Sequence, residues 1–221
     1  MNISKRLRVI SDFISDNSFI LDVGCDHALL DIYVTKNKKN VKAIASDINE
    51  GPLKGALENV KKYNAKDVTV VLGDGLSSYK EGVDTVVISG LGSTTIVSIL
   101  KKDNGVLSNI KKLIISSNND YYFLRKSVCE MGFYISDEVM VLDRGKYYPI
   151  IIFEKGFKKY SEYEYRYGPV LLNKMDSIFI DYLKNERDKF VNIYKSLGFK
   201  YIFKKFYVKK QISFINKRLS R

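Results

Sequence analysis

Cysteine and histidine are scarce in this chain of 221 residues, which contains two cysteines and one histidine. Cys25 and Cys129 lie far apart, without CxxC spacing or clustered histidines. We therefore expect neither a metal site nor a disulfide scaffold, and we expect reduced thiols in a cytoplasmic protein. His27 has no second histidine and no paired Ser or Cys nucleophile in the sequence, which disfavours a catalytic triad.

Long apolar runs are also absent, because nowhere do about 18 apolar residues follow one another. The N-terminal MNISKRLRVISDF has basic residues but no apolar stretch behind them. We therefore expect a soluble protein with no membrane partner. A hydrophobic fraction of 45% disfavours a disordered chain. The length suits one α/β domain with an appendage, which we expect to be a monomer.

Positive charge is concentrated in the last part of the chain. Residues 1–156 contain 21 Lys and Arg against 19 Asp and Glu, whereas residues 157–221 contain 16 against 6. This predicts a nearly neutral catalytic domain over residues 1–156 and a basic region over residues 157–221 that binds a polyanion. The alternative is a solvated, lysine-rich surface without a binding role.

Apolar strands alternate with amphipathic helices through the first part of the chain, the pattern of a doubly wound α/β sheet. Strands are predicted at 19–23, 41–46, 68–72, 85–89, 112–116, 133–141 and 147–153, and helices at 3–15, 27–35, 52–62, 94–100 and 121–131. The last two strands form a hairpin with a loop over 142–146. Such an ending is typical of the Rossmann-like, seven-stranded sheet of class I methyltransferases.

Helical spacing of apolar residues replaces the strand pattern after residue 155. Leu171, Met175, Ile178 and Tyr182 are spaced as one helix face, and so are the four residues Val208, Ile212, Ile215 and Leu219. The tail is therefore predicted to form a coiled-coil-like helical hairpin whose apolar stripes are structural.

The segment LDVGCDHA at residues 21–28 follows a predicted strand and opens a helix. Gly24 lies at the turn, where the backbone must approach a ligand, but the segment lacks the GxGxxG pattern, which disfavours NAD. Asp22 and Asp26 suit a ligand with a cationic amino group, such as S-adenosylmethionine. His27 is predicted to position this ligand, or alternatively to orient the loop, and Cys25 to be an unreactive thiol.

Carboxylates also follow the second and third strands. Asp47, with Ile48, lies about 20 residues beyond the glycine turn, where an acid accepts both ribose hydroxyls. Asp74, with Gly75, is placed to accept a hydrogen bond from an adenine amino group. Each aspartate alone could be a helix cap or turn residue, but three acids at successive strand ends favour an adenosine site.

Small polar residues follow the fourth and fifth strands. Gly90 and Gly92 lie in SGLGS, where many amino-methyltransferases carry an Asn or Asp followed by Pro-Pro and an aromatic residue. The glycines permit close approach of a flat group, although they equally suit a helix start. Asn118 can donate and accept, which suits a nucleobase edge, or it could cap the helix that begins near Tyr121.

These segments resemble the TrmK family, bacterial tRNA methyltransferases that modify N1 of adenine 22. The resemblance is carried by LDVGCDHALL, ASDIN, GDGL, SGLGS and the run LRKSVCEMGFYISDEVMVLDRGKYYPIIIFE. Leu29, Leu30 and Asp31 stand where the family has Tyr, Leu and Pro, and the family's GMGG and QPN are replaced by residues 90–93 and 116–118. The missing tyrosine removes a stacking platform for the target base.

The resemblance implies direct methyl transfer from S-adenosylmethionine to adenine N1 in tRNA, with Asp26 and Asn118 as catalytic candidates. The phosphate-binding candidates are Lys5, Arg6, Arg8, Lys204, Lys205, Lys209 and Lys210. The alternatives are a methyltransferase for another RNA position or a small molecule, and a non-catalytic RNA-binding protein. A NAD-linked oxidoreductase ranks last.

Overall fold

The computed structural model describes residues 1–220, so Arg221, the last residue of the predicted hairpin, lies outside the described residues. The chain divides into two compact units, Met1–Val170 and the part from Leu171 onward. Among the described residues, no helix has both the length and the apolar character needed to cross a membrane.

The first unit contains the seven strands and most of the helices. The strands are β1 Phe19–Val23, β2 Lys42–Asp47, β3 Val68–Leu72, β4 Thr85–Ser89, β5 Lys112–Ser116, β6 Phe133–Asp143 and β7 Lys146–Lys155. The helices of this unit are α1 Lys5–Asp12, α2 Leu29–Asn37, α3 Glu50–Lys62, α4 Ser93–Lys102, α5 Asn104–Leu107, α6 Tyr121–Glu130 and α7 Glu162–Tyr167. Helix α8, Pro169–Lys174, crosses into the second unit.

The seven strands form one sheet in the order β3-β2-β1-β4-β5-β7-β6. The first five strands are parallel, and β7 is antiparallel to both β5 and β6. The strand order reverses between β1 and β4, where α/β sheets bind ligands at their carboxyl edge. Two buried apolar clusters contain side chains from these strands. The predicted Rossmann-like, seven-stranded fold is confirmed.

The β6–β7 connection is shorter than the predicted five-residue loop. Asp143 pairs with Lys146, so only Arg144 and Gly145 form the turn, with φ values of 49° and 75°. Two consecutive positive φ values are characteristic of a type I′ turn, whose twist matches that of the strands. The prediction was wrong because Leu142 and Lys146 extend the two strands instead of interrupting them.

The end of the first unit is attached to the sheet by a buried ion pair. Arg125 Nε lies 2.7 Å from Glu138 Oε1, and both side chains are at most 1% exposed. Arg125 Nη1 donates to the carbonyls of Tyr165 and Arg166, while Glu138 Oε2 accepts from the Val170 N–H. These bonds explain why the unit extends to Val170 and not only to residue 156. The division of function at residue 156 remains a prediction.

The second unit contains two long helices, α9 Ser177–Ser196 and α10 Ile202–Leu219, which pack against each other as a helical hairpin. Val208 and Ile215 are buried, as the predicted stripe requires. In α9, however, Phe179 and Leu183 are buried, rather than their neighbours Ile178 and Tyr182. Both pairs have the same spacing, and the packing partner determines which pair is covered.

Candidate active site

Two adjoining cavities lie at the carboxyl edge of the sheet. The larger, of about 690 Å³, contains the predicted residues Gly24, Asp47, Ile48, Asp74 and Gly75 in its lining. The smaller, of about 370 Å³, is lined by seven of the predicted residues, namely Arg6, Asp22, Gly24, Asp26, His27, Asp47 and Gly90. Gly24, Asp47 and Leu91 line both cavities. The ends of β1, β2 and β3 therefore meet at one composite cleft, as the sequence predicts.

The loop after β1 has an unusual backbone. Gly24 has φ of 75°, and a Cβ there would lie 3.7 Å from the Leu91 side chain. The N–H groups of Gly24 and Cys25 both donate to the Ser46 carbonyl, which fixes the loop to β2. Asp26 also has a positive φ, 52°. Such a conformation costs a non-glycine residue about 1 to 3 kcal/mol and is concentrated at functional sites.

Asp22, which lines the smaller cavity, forms a buried acidic pair with Asp31. Their exposures are 5% and 0%. Burial raises the pKa of both carboxyl groups, and the charge of Asp31 raises the pKa of Asp22 further. A hydrogen bond between the two side chains raises the pKa of Asp22 as well. The pair therefore retains a proton at a pH where an exposed aspartate is ionised, and a bound cation would favour its release.

His27 packs against the backbone of α3. A Cβ on Gly55 would lie 2.3 Å from His27 Nδ1, so only glycine leaves room for the ring. The His27 carbonyl accepts from Asn59 Nδ2 at 3.0 Å, and His27 Nε2 lies 3.6 Å from Asp26 Oδ1. These contacts favour a positioning role for His27, which holds the loop that carries Asp26.

Asp47 and Asp74 both have protein partners at the larger cavity. Asp47 Oδ1 accepts from the Asn49 N–H at 2.9 Å, which shapes the turn after β2. Asp74 caps the 3₁₀ helix Gly75–Ser78, and its Oδ2 lies 2.5 Å from Lys102 Nζ. These turn and cap roles still leave acceptor positions for a ligand, because a carboxylate has about four.

The loops after β4 and β5 are bonded to each other. Asn118 Nδ2 donates to the Gly90 carbonyl at 2.5 Å, and the Asn118 N–H donates to Leu91. The Ser93 N–H donates to Asn119 Oδ1 at 3.0 Å, and the Asn119 side chain lies next to Gly92. Neither Gly92 nor Asn118 is one of the described residues that line the two cavities. Asn118 thus fixes the Gly90 turn, and the cap of α6 is Asp120.

The two thiols are buried, and burial raises the pKa of Cys25 and that of Cys129, the latter to about 12. Thiolates are therefore disfavoured at neutral pH. Over residues 1–220, no three His, Cys, Asp or Glu side chains are grouped to hold a metal ion.

Sequence reasoning missed the contribution of α4 to the larger cavity. Thr94, Thr95, Ser98, Ile99 and Lys102 of this helix line it. The available signal was the position of α4 directly after the glycine turn that follows β4, since helices that start there face the ligand crevice.

A profile of the TrmK family, described as tRNA (adenine(22)-N(1))-methyltransferase, matches residues 20–217. The chain is 28% identical over 207 residues to a tRNA (adenine(22)-N(1))-methyltransferase of Bacillus subtilis, which covers 90% of this chain and 87% of that protein.

Two solved structures extend the similarity over nearly the whole chain. M. capricolum TrmK in complex with S-adenosyl-homocysteine is 32% identical, with a TM-score of 0.84 over 99% of this chain and 98% of that one. A Streptococcus pneumoniae candidate tRNA (m1A22) methyltransferase in complex with S-adenosyl-L-methionine is 31% identical, with a TM-score of 0.89 over 99% and 100% of the two chains. The family profile, the sequence relative and these folds agree, and the chain belongs to the TrmK family of tRNA (adenine(22)-N(1))-methyltransferases.

Proposed function

We propose that this protein transfers a methyl group from S-adenosylmethionine to N1 of an adenine in tRNA, at position 22 as in its family. The observation that carries the proposal is the convergence of Asp22, Asp47 and Asp74 on two cavities that share a wall. Acids at the ends of β1, β2 and β3 suit an ammonium group, a ribose and an adenine amino group, in that order. A cytoplasmic location follows from a tRNA substrate.

The residues present fit the cofactor. The larger cavity offers the apolar side chains of Ile48, Leu91 and Ile99 for a flat base, together with Asp47 for the ribose. The smaller cavity contains buried polar atoms without protein partners among the described residues, namely Arg6 Nε and Ser89 Oγ. Such atoms are costly to bury alone, so this cavity is suited to a polar ligand.

When bound, S-adenosylmethionine supplies a methyl group on a sulfonium leaving group. Neutral adenine has a lone pair at N1, so the chain needs no strong general base. Its contribution is to hold acceptor and donor atoms about 3 to 3.5 Å apart. In this proposal Asp26, whose side chain is 77% exposed, contacts the substrate adenine, and Asn118 keeps the Gly90 turn in place below it.

We further propose that the basic tail, residues 157–221, binds tRNA. Within the hairpin, Lys204, Lys209 and Lys210 are exposed. Phe203 is 89% exposed and Phe206 60%, so aromatic faces lie open among these lysines. Lysines neutralise phosphates and aromatic rings stack on unpaired bases, which together characterise surfaces for RNA loops.

The proposal is tested by incubating the protein with labelled S-adenosylmethionine and undermodified bulk tRNA, and by mapping the methyl group. Methylation at N1 of adenine 22 is expected. Asp47→Ala should weaken cofactor binding and leave tRNA affinity unchanged. Reversing Lys204, Lys209 and Lys210 to glutamate should weaken tRNA binding and lower its salt dependence, with cofactor affinity unchanged. Methylation of a small molecule that is unaffected by the charge reversal would contradict the proposal.

A further inference from the structure

Four exposed cations form a basic cluster in the first unit. Lys5 and Arg8 belong to α1, and Arg144 and Lys146 belong to the turn between β6 and β7 and to its edge. We call these four residues the rim cluster. Without them, residues 1–156 contain 17 Lys and Arg against 19 Asp and Glu. The small positive charge of this part of the chain is therefore due to the rim cluster.

The two halves of the rim cluster are joined by a hydrogen bond. The Arg6 N–H donates to Asp143 Oδ2 at 3.3 Å, which attaches the start of α1 to the residue before Arg144. Lys5 and Arg8 are three positions apart in the helix, so they are neighbours on its surface. The bond thus brings together two basic segments that are 137 positions apart in the sequence.

The rim cluster lies beside the candidate active site. Strand β7 is antiparallel to β5, and their last pair at the carboxyl end of β5 is Ile151 with Ile115. Residues 146–150 continue for about 16 Å beyond that pair, past the carboxyl edge of the sheet. There the Tyr148 ring centroid lies 4.6 Å from the guanidinium carbon of Arg6, which lines the smaller cavity. The turn is therefore at the rim of the cleft.

The charges of the rim cluster are not neutralised by the protein. Within residues 1–220, none of the four side chains forms an ion pair with a carboxylate. Lys102, which lines the larger cavity, is by contrast paired with Asp74. Exposed cations without a carboxylate partner are suited to bind the phosphates of a polyanion.

The backbone of Arg144 suits other residues better than arginine. Its φ of 49° lies in the left-handed region, at the first central position of the type I′ turn. Asn, Asp and Gly are preferred there, because they tolerate a positive φ with the least strain. The turn gains nothing from an arginine at this position, so the property that it contributes is its charge.

The target nucleotide supplies the matching anions. An adenine that leaves its stack and enters the cleft remains linked to the phosphates on either side of it. Those phosphates stay at the rim while the base is inside. Lysine and arginine side chains at the rim neutralise them, which offsets part of the cost of unstacking the base.

We propose that the rim cluster binds the tRNA backbone on either side of the target adenine, as a second RNA contact besides the basic tail. This inference rests on the proposed function, since it names a contact of that substrate. Lys5 and Arg8 were already phosphate-binding candidates from the sequence. Arg144 and Lys146 join them because of their position at the rim.

The test uses Arg144→Asn with Lys146→Gln, which removes two charges and leaves Asn-Gly, a preferred pair for a type I′ turn. The thermal midpoint should therefore not fall. In a filter-binding assay, tRNA affinity should decrease by about 5- to 30-fold. The plot of log affinity against log salt should become shallower by about 1.4 to 1.8, since each phosphate contact contributes about 0.7 to 0.9. Affinity for S-adenosylmethionine, measured by calorimetric titration, should be unchanged.

The matched control is Lys61→Gln with Lys66→Gln. Both lysines are exposed, and they lie at the end of α3 and just before β3, which is the opposite end of the parallel strands. This variant loses the same number of charges. It should retain tRNA affinity within about twofold and keep the wild-type salt dependence.

Three results would overturn the inference. Wild-type tRNA affinity and salt dependence in the turn variant would show that the rim cluster does not bind the backbone. Equal losses in the turn variant and the control would show that only total charge matters. A parallel loss of cofactor affinity would show that the turn acts through the fold. Failure of the wild-type protein to bind tRNA would instead refute the proposed function, and this is distinguishable because the wild-type titration is performed first.

Discussion

Replacing Arg125 with methionine tests the buried ion pair that attaches the end of the first unit to β6. The substitution removes the guanidinium that pairs with Glu138, whose side chain has no exposed surface. Removing one partner of a buried pair costs about 3 to 5 kcal/mol, because the remaining charge is uncompensated. In urea, with a slope of about 2 to 3 kcal/mol per molar, the unfolding midpoint should fall by about 1 to 2.5 M.

A second variant separates the charge from the hydrogen bonds. The double substitution Arg125→Met with Glu138→Met removes both charges of the pair. The carbonyls of Tyr165 and Arg166 then lose their bonds to Arg125, and the N–H of Val170 loses its bond to Glu138. At about 1 kcal/mol for each lost bond, about 2 to 3 kcal/mol of the destabilisation should persist.

Unfolding is followed by circular dichroism, and Lys126→Met is the control because it removes a positive charge from the next position of α6. This control should change stability by at most about 0.5 kcal/mol. If the double variant recovered wild-type stability, the pair would not serve as the cap for these backbone groups, and the reasoning would be refuted.

Three further predictions concern the site and the hairpin. Because burial and the neighbouring Asp31 raise the pKa of Asp22 above its ordinary value, affinity for S-adenosylmethionine should increase with pH, above the range in which an exposed aspartate ionises, as the proton leaves; Asp31→Asn should move this increase to lower pH, and titration of 5′-methylthioadenosine, which lacks the amino-acid end, should show no such increase. Phe203→Ala should weaken tRNA binding by about 5- to 150-fold in a filter-binding assay without altering cofactor affinity, since one stacked base contributes about 1 to 3 kcal/mol; an unchanged tRNA affinity would exclude stacking there. Gly55→Val should displace the His27 ring and reduce turnover, measured as methyl transfer at saturating tRNA; full activity would show that the ring position does not matter.

The sequence predicted the parallel strands well. The predicted bounds of β1, β3, β4 and β5 are those observed, because each is a short apolar run bounded by polar or turn residues. β1, β4 and β5 are largely buried, whereas β3 is an edge strand and is partly exposed. The three acids were located for a related reason, since parallel strands place their carboxyl ends at one edge.

Contacts between distant parts of the chain were not predictable in the same way. Nothing local in the sequence indicates that the Arg6 guanidinium lies on the Tyr148 ring, and the predicted phosphate contact of Arg6 stays a prediction. Asn118 was predicted to contact a base or to cap α6, and the bond between its amide and the Gly90 carbonyl was not foreseen; the base contact stays a prediction. The ion pair of Arg125 and Glu138 was missed for the same reason, since burial of a charge depends on tertiary packing.

The position of Leu91 has a consequence for the design of inhibitors. Leu91 lines both the larger and the smaller cavity, and its side chain lies beside Gly24, a residue without a side chain. A compound anchored in the larger cavity, beside Ile48, could therefore be extended past Leu91 by a short flexible linker. A zwitterionic end group on that linker would then reach Arg6 in the smaller cavity, so that one molecule would occupy both cavities.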